Sequence, residues 1–212
     1  MKKNNKSKTG YFFIKRIFDI FISIIGILIF LLISIIVKIF YLCSKDFKSI
    51  IYVHERIGKN GKKFKMYKFR TMIWNSAEVL EELLKYPKIR EEWNANFKLD
   101  NDPRITFIGK ILRKTSIDEL PQFINILKGD MSLIGPRPLI EEEVELYKKK
   151  KEKLLSVRPG LTGYWACNGR SNCTPKERRN LELYYVDNCS IILDIKIFFM
   201  TIVKVLKREG AK

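Results

Sequence analysis

Histidine occurs once in the 212 residues, at His54, and the four cysteines (Cys43, Cys167, Cys173 and Cys189) never form a C-x-x-C pair. A zinc centre needs about four nitrogen or sulfur ligands at local spacing, so no such centre is expected. Cysteines this few and scattered in a largely apolar chain do not make a disulfide scaffold, so reduced thiols are expected. Acidic residues are scarce too: 23 Asp and Glu face 41 Lys and Arg, a formal net charge of +18. The imbalance calls for an anionic partner, either nucleic acid, a phospholipid surface or a phosphorylated substrate. Disorder is excluded by a hydrophobic content of 46%, and the length suits one domain with an appended segment. No internal repeat is present.

Charge is absent altogether from Ile20 to Val37, "IFISIIGILIFLLISIIV". Eighteen helical residues make a rod of ~27 Å, close to the ~30 Å hydrocarbon core of a bilayer. A core helix would show a polar face, and this run offers only Ser23, Gly26 and Ser34. A cleaved signal peptide is a poor fit, because the apolar run is too long and no A-x-A-like site follows it. The segment therefore points to membrane and away from nucleic acid. Both flanks are basic. Residues 1–16 carry Lys2, Lys3, Lys6, Lys8, Lys15 and Arg16 without an acid, and residues 38–70 carry ten Lys or Arg against Asp46 and Glu55. A plain crossing would put one basic flank outside, so a re-entrant helix bent near Ser23, Gly26 or Ser34 is expected. Asp19 at its mouth would pair with Arg16.

Beyond it, two runs rich in Ile, Val, Tyr and Phe flank Asn60-Gly61 and predict a β-hairpin. Residues 75–97 have helical spacing interrupted at Pro87. "DELPQFINILKG" predicts a helix capped by Gly129. "GDMSLIGPRP" and the Gly-rich stretch 158–175 read as loops. Residues 139–157 read as one charged helix, with an acidic start and basic end that suit its dipole. Residues 176–207 read as mostly helical, lying on the membrane or the core without crossing.

The stretch "RKTSIDELPQ" places two adjacent carboxylates, Asp118 and Glu119, just after Arg113 and Lys114. One reading is structural. Ser116 and Glu119 have capping-box spacing, or Asp118 is an N-cap with Pro121 in the first turn. The other is chemical. At a helix start the pair can divide labour, one oxygen attacking while the other holds a hard cation, with Arg113 neutralising phosphate. Arg137, between Pro136 and Pro138, supplies a second rigid cation. Lys68 and Arg70 in "YKFRTM" and Asn168 and Arg170 in "CNGR" are weaker candidates for phosphate and nucleotide contacts, and Trp165 could stack on a base or anchor at an interface. His54 is read as a strand residue without a role.

Five ordered blocks then carry a resemblance: "KRIFD", "ERIGKNGKKFKMYKFRTM", "KLDNDPRITFIGKILRKTSIDELPQFINILKGDMSLIGPRPL", "VRPGLTGYWACNGR" and "YYVDNCSIILDIKIFFMTIVKVL". Together they resemble the catalytic part of the bacterial sugar transferases, monotopic polyprenol-phosphate phosphoglycosyl transferases. The insert at 77–106 is most similar to the undecaprenyl-phosphate galactose phosphotransferase branch. The chain departs from the family at Leu31-Leu32, where Ser-Pro is usual, and at Ala166 and Cys167.

The resemblance implies a mostly helical α+β fold. It would comprise a basic tail (1–12), a membrane-embedded, re-entrant helix (13–42) and a cytoplasmic catalytic domain (43–212) with a small hairpin and amphipathic membrane-surface helices. It implies Asp118 as nucleophile, Glu119 as ligand of Mg²⁺, and Arg137 against phosphate. The activity implied is transfer of a sugar 1-phosphate from a UDP-sugar to polyprenyl phosphate, starting a surface glycan at the cytoplasmic face of the bacterial inner membrane. Expected partners are those two substrates and the bilayer, without nucleic acid, and a homodimer is compatible. The competing class, a non-enzymatic basic scaffold on anionic lipid, has no need of the ordered motifs.

Overall fold

The computed structural model describes residues 5–96, 99–169 and 173–207. The first helix, α1, runs unbroken from Asn5 to Cys43, so it begins within the stretch read as a tail. The Ser23 hydroxyl donates to the Ile20 carbonyl and that of Ser34 to the Phe30 carbonyl. The helix is continuous through both, where the sequence suggested a bend. Its buried positions are Tyr11, Lys15, Asp19, Ser23, Gly26, Phe30, Val37 and Tyr41, a single stripe at three- and four-residue spacing. The remaining surface is apolar and exposed, with Phe13, Phe21, Leu28 and Leu32 each about 60–70% accessible.

The stripe is bound along its whole length. Tyr11 and Lys15 both donate to Asp194 Oδ2, at 2.9 and 2.7 Å. Arg16, expected to pair with Asp19, instead donates to the carbonyls of Ile126 and Leu127. Those carbonyls end a short helix, and a guanidinium suits that end. Asp19 accepts from the Ser132 hydroxyl at 3.0 Å and the Leu133 amide at 2.8 Å. Further along, Phe30, Val37 and Tyr41 join Phe69 and Leu112 in a core. Each such side chain contributes about 1.5–3 kcal/mol on full burial.

The hairpin forms as the dipeptide predicts. β1 (Ile51–Ile57) pairs antiparallel with β2 (Lys63–Phe69), and Asn60 and Gly61 take φ of 58° and 79° in the turn. Pro87 divides α2 (Ser76–Leu83) from α3 (Pro87–Asn96), as expected. α4 (Phe107–Thr115) is capped by the Thr106 hydroxyl and ends at Ser116, with φ 58°. A 3₁₀ turn (Ile117–Glu119) follows, then α5 (Gln122–Lys128), closed by Gly129 at φ 89°. The Asn125 side chain bridges α5 to the outer edge of β2, donating to the Lys65 carbonyl and accepting from the Tyr67 amide. α9 (Pro175–Asn188) and α10 (Ile191–Leu206) are the last helices of the described residues, with Ile197 buried and Ile192 and Phe199 outward.

Three further sequence expectations need correction. The stretches read as loops contain β3 (Ser132–Ile134) and β4 (Gly160–Thr162), a parallel pair, and a short helix α8 (Tyr164–Asn168). The glycines serve close backbone approach: a side chain on Gly135, Gly160 or Gly163 would overlap the facing main chain. Residues 139–157 are not one helix but α6 (Glu141–Glu145), a 3₁₀ turn (Lys148–Lys150) and α7 (Lys151–Leu155). Lys148 turns to φ 49°, which relieves a run of lysines and lets Tyr147 and Leu154 enter one core. Finally, Ser116 makes no side-chain cap, and the residue before α5 is Pro121, so neither capping reading of the "SIDE" stretch is realised. The left-handed Ser116 finishes α4 instead of opening α5.

A methyl group at Gly26 would overlap the Phe123 ring. Gly26→Ala is therefore expected to cost about 1–3 kcal/mol. Adding Phe123→Val should recover part of the loss in detergent melts; equal or additive losses would show that the two do not meet.

Candidate active site

The carboxylates owe their position to two short elements meeting β2. α4 delivers Arg113 on its last turn, the 3₁₀ turn presents Asp118 and Glu119, and β2 supplies Lys68 from 51 residues upstream of Glu119. Lys68 Nζ lies 2.8 Å from Glu119 Oε1 and 3.8 Å from Asp118 Oδ2. Arg113 Nε donates to the Thr71 hydroxyl at 2.9 Å, and its guanidinium interacts electrostatically with the Asp118 and Asp102 carboxylates. The tertiary structure thus gathers four of the residues singled out in the sequence: Lys68, Arg113, Asp118 and Glu119.

The two carboxylates differ in surroundings. Asp118 is 13% exposed and Glu119 36%. Burial, with a smaller contribution from the Glu119 charge, pushes the Asp118 carboxyl up to about 6, while Lys68 and Arg113 pull it down. Above pH 6 it is an ionised, partly desolvated carboxylate, the form in which it can attack an electrophile. Folding raises this pKa, so the residue's contribution to stability is largest at low pH and is lost as pH rises through about 6. Neutral pH therefore holds a destabilising charge at this spot, a pattern common at functional sites.

The other candidates are placed elsewhere. Arg70 is nearly buried: it donates to the Ser49 and Met72 carbonyls, pairs with Asp46 at 2.9 Å and lies over the Tyr41 ring. Asn168 is exposed, its amide donating to the Tyr164 carbonyl of its own helix. Arg170 lies outside the described residues. Arg137 belongs to a group on α8 and α9: its amide donates to Glu182 and its guanidinium lies 5.7 Å from the Trp165 ring centre. His54 accepts from Arg56 through Nδ1, and burial with the charges of Arg56 and Lys68 lowers its pKa. Sequence reading missed Thr71, Asn125 and Glu182. Thr71 and Asn125 stand inside quoted motifs and Glu182 outside them, but each acts on a residue far away in the chain, which no local pattern reveals.

Among the described residues no three His, Cys, Asp or Glu side chains converge as a metal cage. A hard cation such as Mg²⁺ is commonly held by one or two carboxylates together with substrate phosphates. The adjacent Asp118 and Glu119 offer such a donor set, with Glu119 the more open.

The bacterial sugar transferase family model matches residues 10–208. Over 209 residues the chain is 47% identical to a UDP-galactose-lipid carrier transferase of Erwinia amylovora, covering 98% of this chain and 43% of that protein. It is 45% identical to the undecaprenyl-phosphate galactose phosphotransferase of Salmonella typhimurium, covering 99% and 44%. An exopolysaccharide production protein, ExoY, of Sinorhizobium fredii is 42% identical over the whole of both chains. The chain thus spans less than half the length of the first two relatives and all of the third.

Replacing Lys68 with Met should raise the Asp118 pKa by roughly one to three units. Carboxyl-carbon NMR titration reads this directly, and an unmoved midpoint would show that Lys68 does not govern Asp118.

Proposed function

The chain belongs to the bacterial sugar transferase family, and from that premise we propose that it transfers a sugar 1-phosphate from a UDP-sugar to a polyprenyl phosphate such as undecaprenyl phosphate. The product would start a surface glycan, and the second product is UMP. The observation that carries this reading is the partly buried Asp118, ionisable near neutrality and flanked by Glu119, Lys68 and Arg113.

An Asp118 carboxylate oxygen attacks the phosphorus that bears the sugar. The bond from that phosphorus to the UMP oxygen breaks, and UMP leaves with the electron pair. A phosphate oxygen of the polyprenyl phosphate then attacks the same phosphorus, and the bond to Asp118 breaks. The carboxylate is regenerated and the lipid carries a sugar diphosphate. Lys68 and Arg113 offset the negative charge that gathers as the pyrophosphate cleaves. Glu119, with Asp118 beside it, would hold Mg²⁺, which when bound supplies further charge neutralisation at phosphate.

The lipid substrate requires this chemistry at headgroup level. α1 supports a location there. From Tyr11 to Tyr41 it rises about 45 Å, longer than the ~30 Å hydrocarbon core. Polar side chains of the catalytic domain attend both its ends: Asp194 near Lys15, and Arg70 bonded to Asp46 just beyond Cys43. An upright crossing would draw these charges and the domain behind them into hydrocarbon, at a cost of several kcal/mol for each. We therefore place both ends of α1 on the cytoplasmic side. Its outward apolar face, with the exposed Phe107 and Ile111 of α4 and Ile192 and Phe199 of α10, enters the bilayer from that side.

Two experiments test this reading. Asp118→Asn should lower UMP release from a panel of UDP-hexoses and UDP-N-acetylhexosamines by more than about a hundredfold, about 2.7 kcal/mol. Its melting temperature at pH 7.5 should not fall. Residual turnover above a tenth of the parent's would remove Asp118 as nucleophile. For topology, a cysteine is placed at Lys3 after replacing the four native ones. It should resist an impermeant thiol reagent in intact cells and react once they are permeabilised, whereas labelling from outside would mean that α1 crosses.

A further inference from the structure

A second cationic group stands on the same face of the hairpin as Lys68, towards its turn. Along β1, Tyr52 faces Lys68 across the ladder, and His54 and Arg56 follow on the same face. The four residue steps from Tyr52 to Arg56 span ~13–14 Å, more than a diphosphate alone can bridge. At that end Arg56 and Arg178 both pair with Glu143, at 3.5 and 3.1 Å. Arg178 and Arg137 both approach the Trp165 ring, with guanidinium carbons 5.0 and 5.7 Å from its centre.

Behind these cations sits Glu182, 2% exposed. One of its oxygens accepts the Arg137 amide at 3.1 Å. Pro136 and Pro138 have no N–H, so this bond takes the single amide donor of the Pro-Arg-Pro turn. The Gly160 amide holds the same turn through the Pro136 carbonyl at 2.7 Å. The other oxygen, Glu182 Oε1, has no hydrogen-bond partner, nor do the nearby buried Arg137 Nε, Arg56 Nε and Tyr147 hydroxyl. Buried polar atoms are rarely left so, and their concentration here marks a place where polar groups remain to be completed.

We propose that Arg178 joins Arg137, the residue the family resemblance sets against phosphate, on the Trp165 ring, and that the pair, with Arg137 held from behind by Glu182, forms an anion subsite for a phosphate ester apart from the Lys68–Arg113–Asp118 group. The inference rests on the transferase reading for the identity of the ester, which could come from the nucleotide or from polyprenyl phosphate. The adjacent flat indole favours the nucleotide, whose base or ribose can lie against it while a guanidinium pairs with phosphate. Arg178 is the new element. Its charge is balanced by Glu143 until a phosphate competes for it, and Glu182 acts as a positioning residue through the Arg137 backbone.

The test uses the full chain in detergent. The Trp165 indole N–H is followed by NMR, assigned by its loss in Trp165→Phe. Saturating UMP should move this signal. Arg178→Ala should weaken UMP binding by about tenfold or more, and Arg178→Lys by less. Glu182→Gln should stay within about threefold of the parent, because its amide oxygen still accepts the Arg137 amide. A signal moved only by a short-chain polyprenyl phosphate would keep the subsite and assign it to the lipid. A signal moved by neither ligand overturns the subsite even if Arg178→Ala does not fold, and so does an affinity within twofold in a folded Arg178→Ala. UMP release by the parent protein is scored separately. Release with an unmoved signal defeats this inference alone, whereas no release from any UDP-sugar defeats the transferase reading.

Discussion

One stripe along α1 has to satisfy the catalytic domain from end to end while the opposite face stays apolar. Every other feature of the molecule is built on that division. Polar atoms hold the first half of the stripe, through Lys15 to Asp194, Arg16 to the end of α5, and Asp19 to Ser132 and Leu133. Apolar side chains hold the second half against Phe69 and Leu112. Buried charges of this kind add little net stability, because desolvation offsets most of the attraction. They do fix register. A helix sliding by one turn would leave Asp19 and Asp194 buried without their donors, and this penalty is larger than the bonds are worth when made.

The register matters because the same core carries the chemistry. Phe69 and Leu112 are neighbours in sequence of Lys68 and Arg113, so the packing that seats α1 also sets the two cations about Asp118. Asp118 then experiences opposing influences, of which burial is the largest. Burial and Glu119 favour its protonated form, whereas Lys68 and Arg113 favour the carboxylate. The balance falls near 6, high enough to make the carboxylate more basic than a solvated one and low enough to leave it ionised at neutral pH. Fuller burial would silence the group, and full exposure would make it an ordinary, weakly basic aspartate.

The cations are divided among different tasks. Arg70 spends its donors on carbonyls and Asp46, tying the strand that carries Lys68 to the end of α1. Arg113 donates to Thr71 and interacts electrostatically with carboxylates. Arg137 is immobilised through its backbone by two prolines and Glu182. The excess of positive charge is thus partly structural.

Much of this was legible in the chain itself. The 18-residue uncharged run, the basic excess, the Asn60-Gly61 turn, the break at Pro87 and the stop at Gly129 are local patterns. Their physics acts over a few residues, through helical and strand periodicity and through glycine and proline backbone preferences. The adjacency of Asp118 and Glu119 was visible for the same reason. The capping readings of that stretch failed because the left-handed Ser116 ends one helix, and what lies beyond it is set by packing. Only the tertiary structure decided that the glycine-rich stretches pair as β3 and β4, that Lys68 reaches Glu119 across 51 residues, that Asp118 is partly withdrawn from solvent, and that Glu182 holds the Arg137 amide. Desolvation and charge act through space, with no sequence period to reveal them, so a carboxylate's identity is written in the chain but its pKa is not.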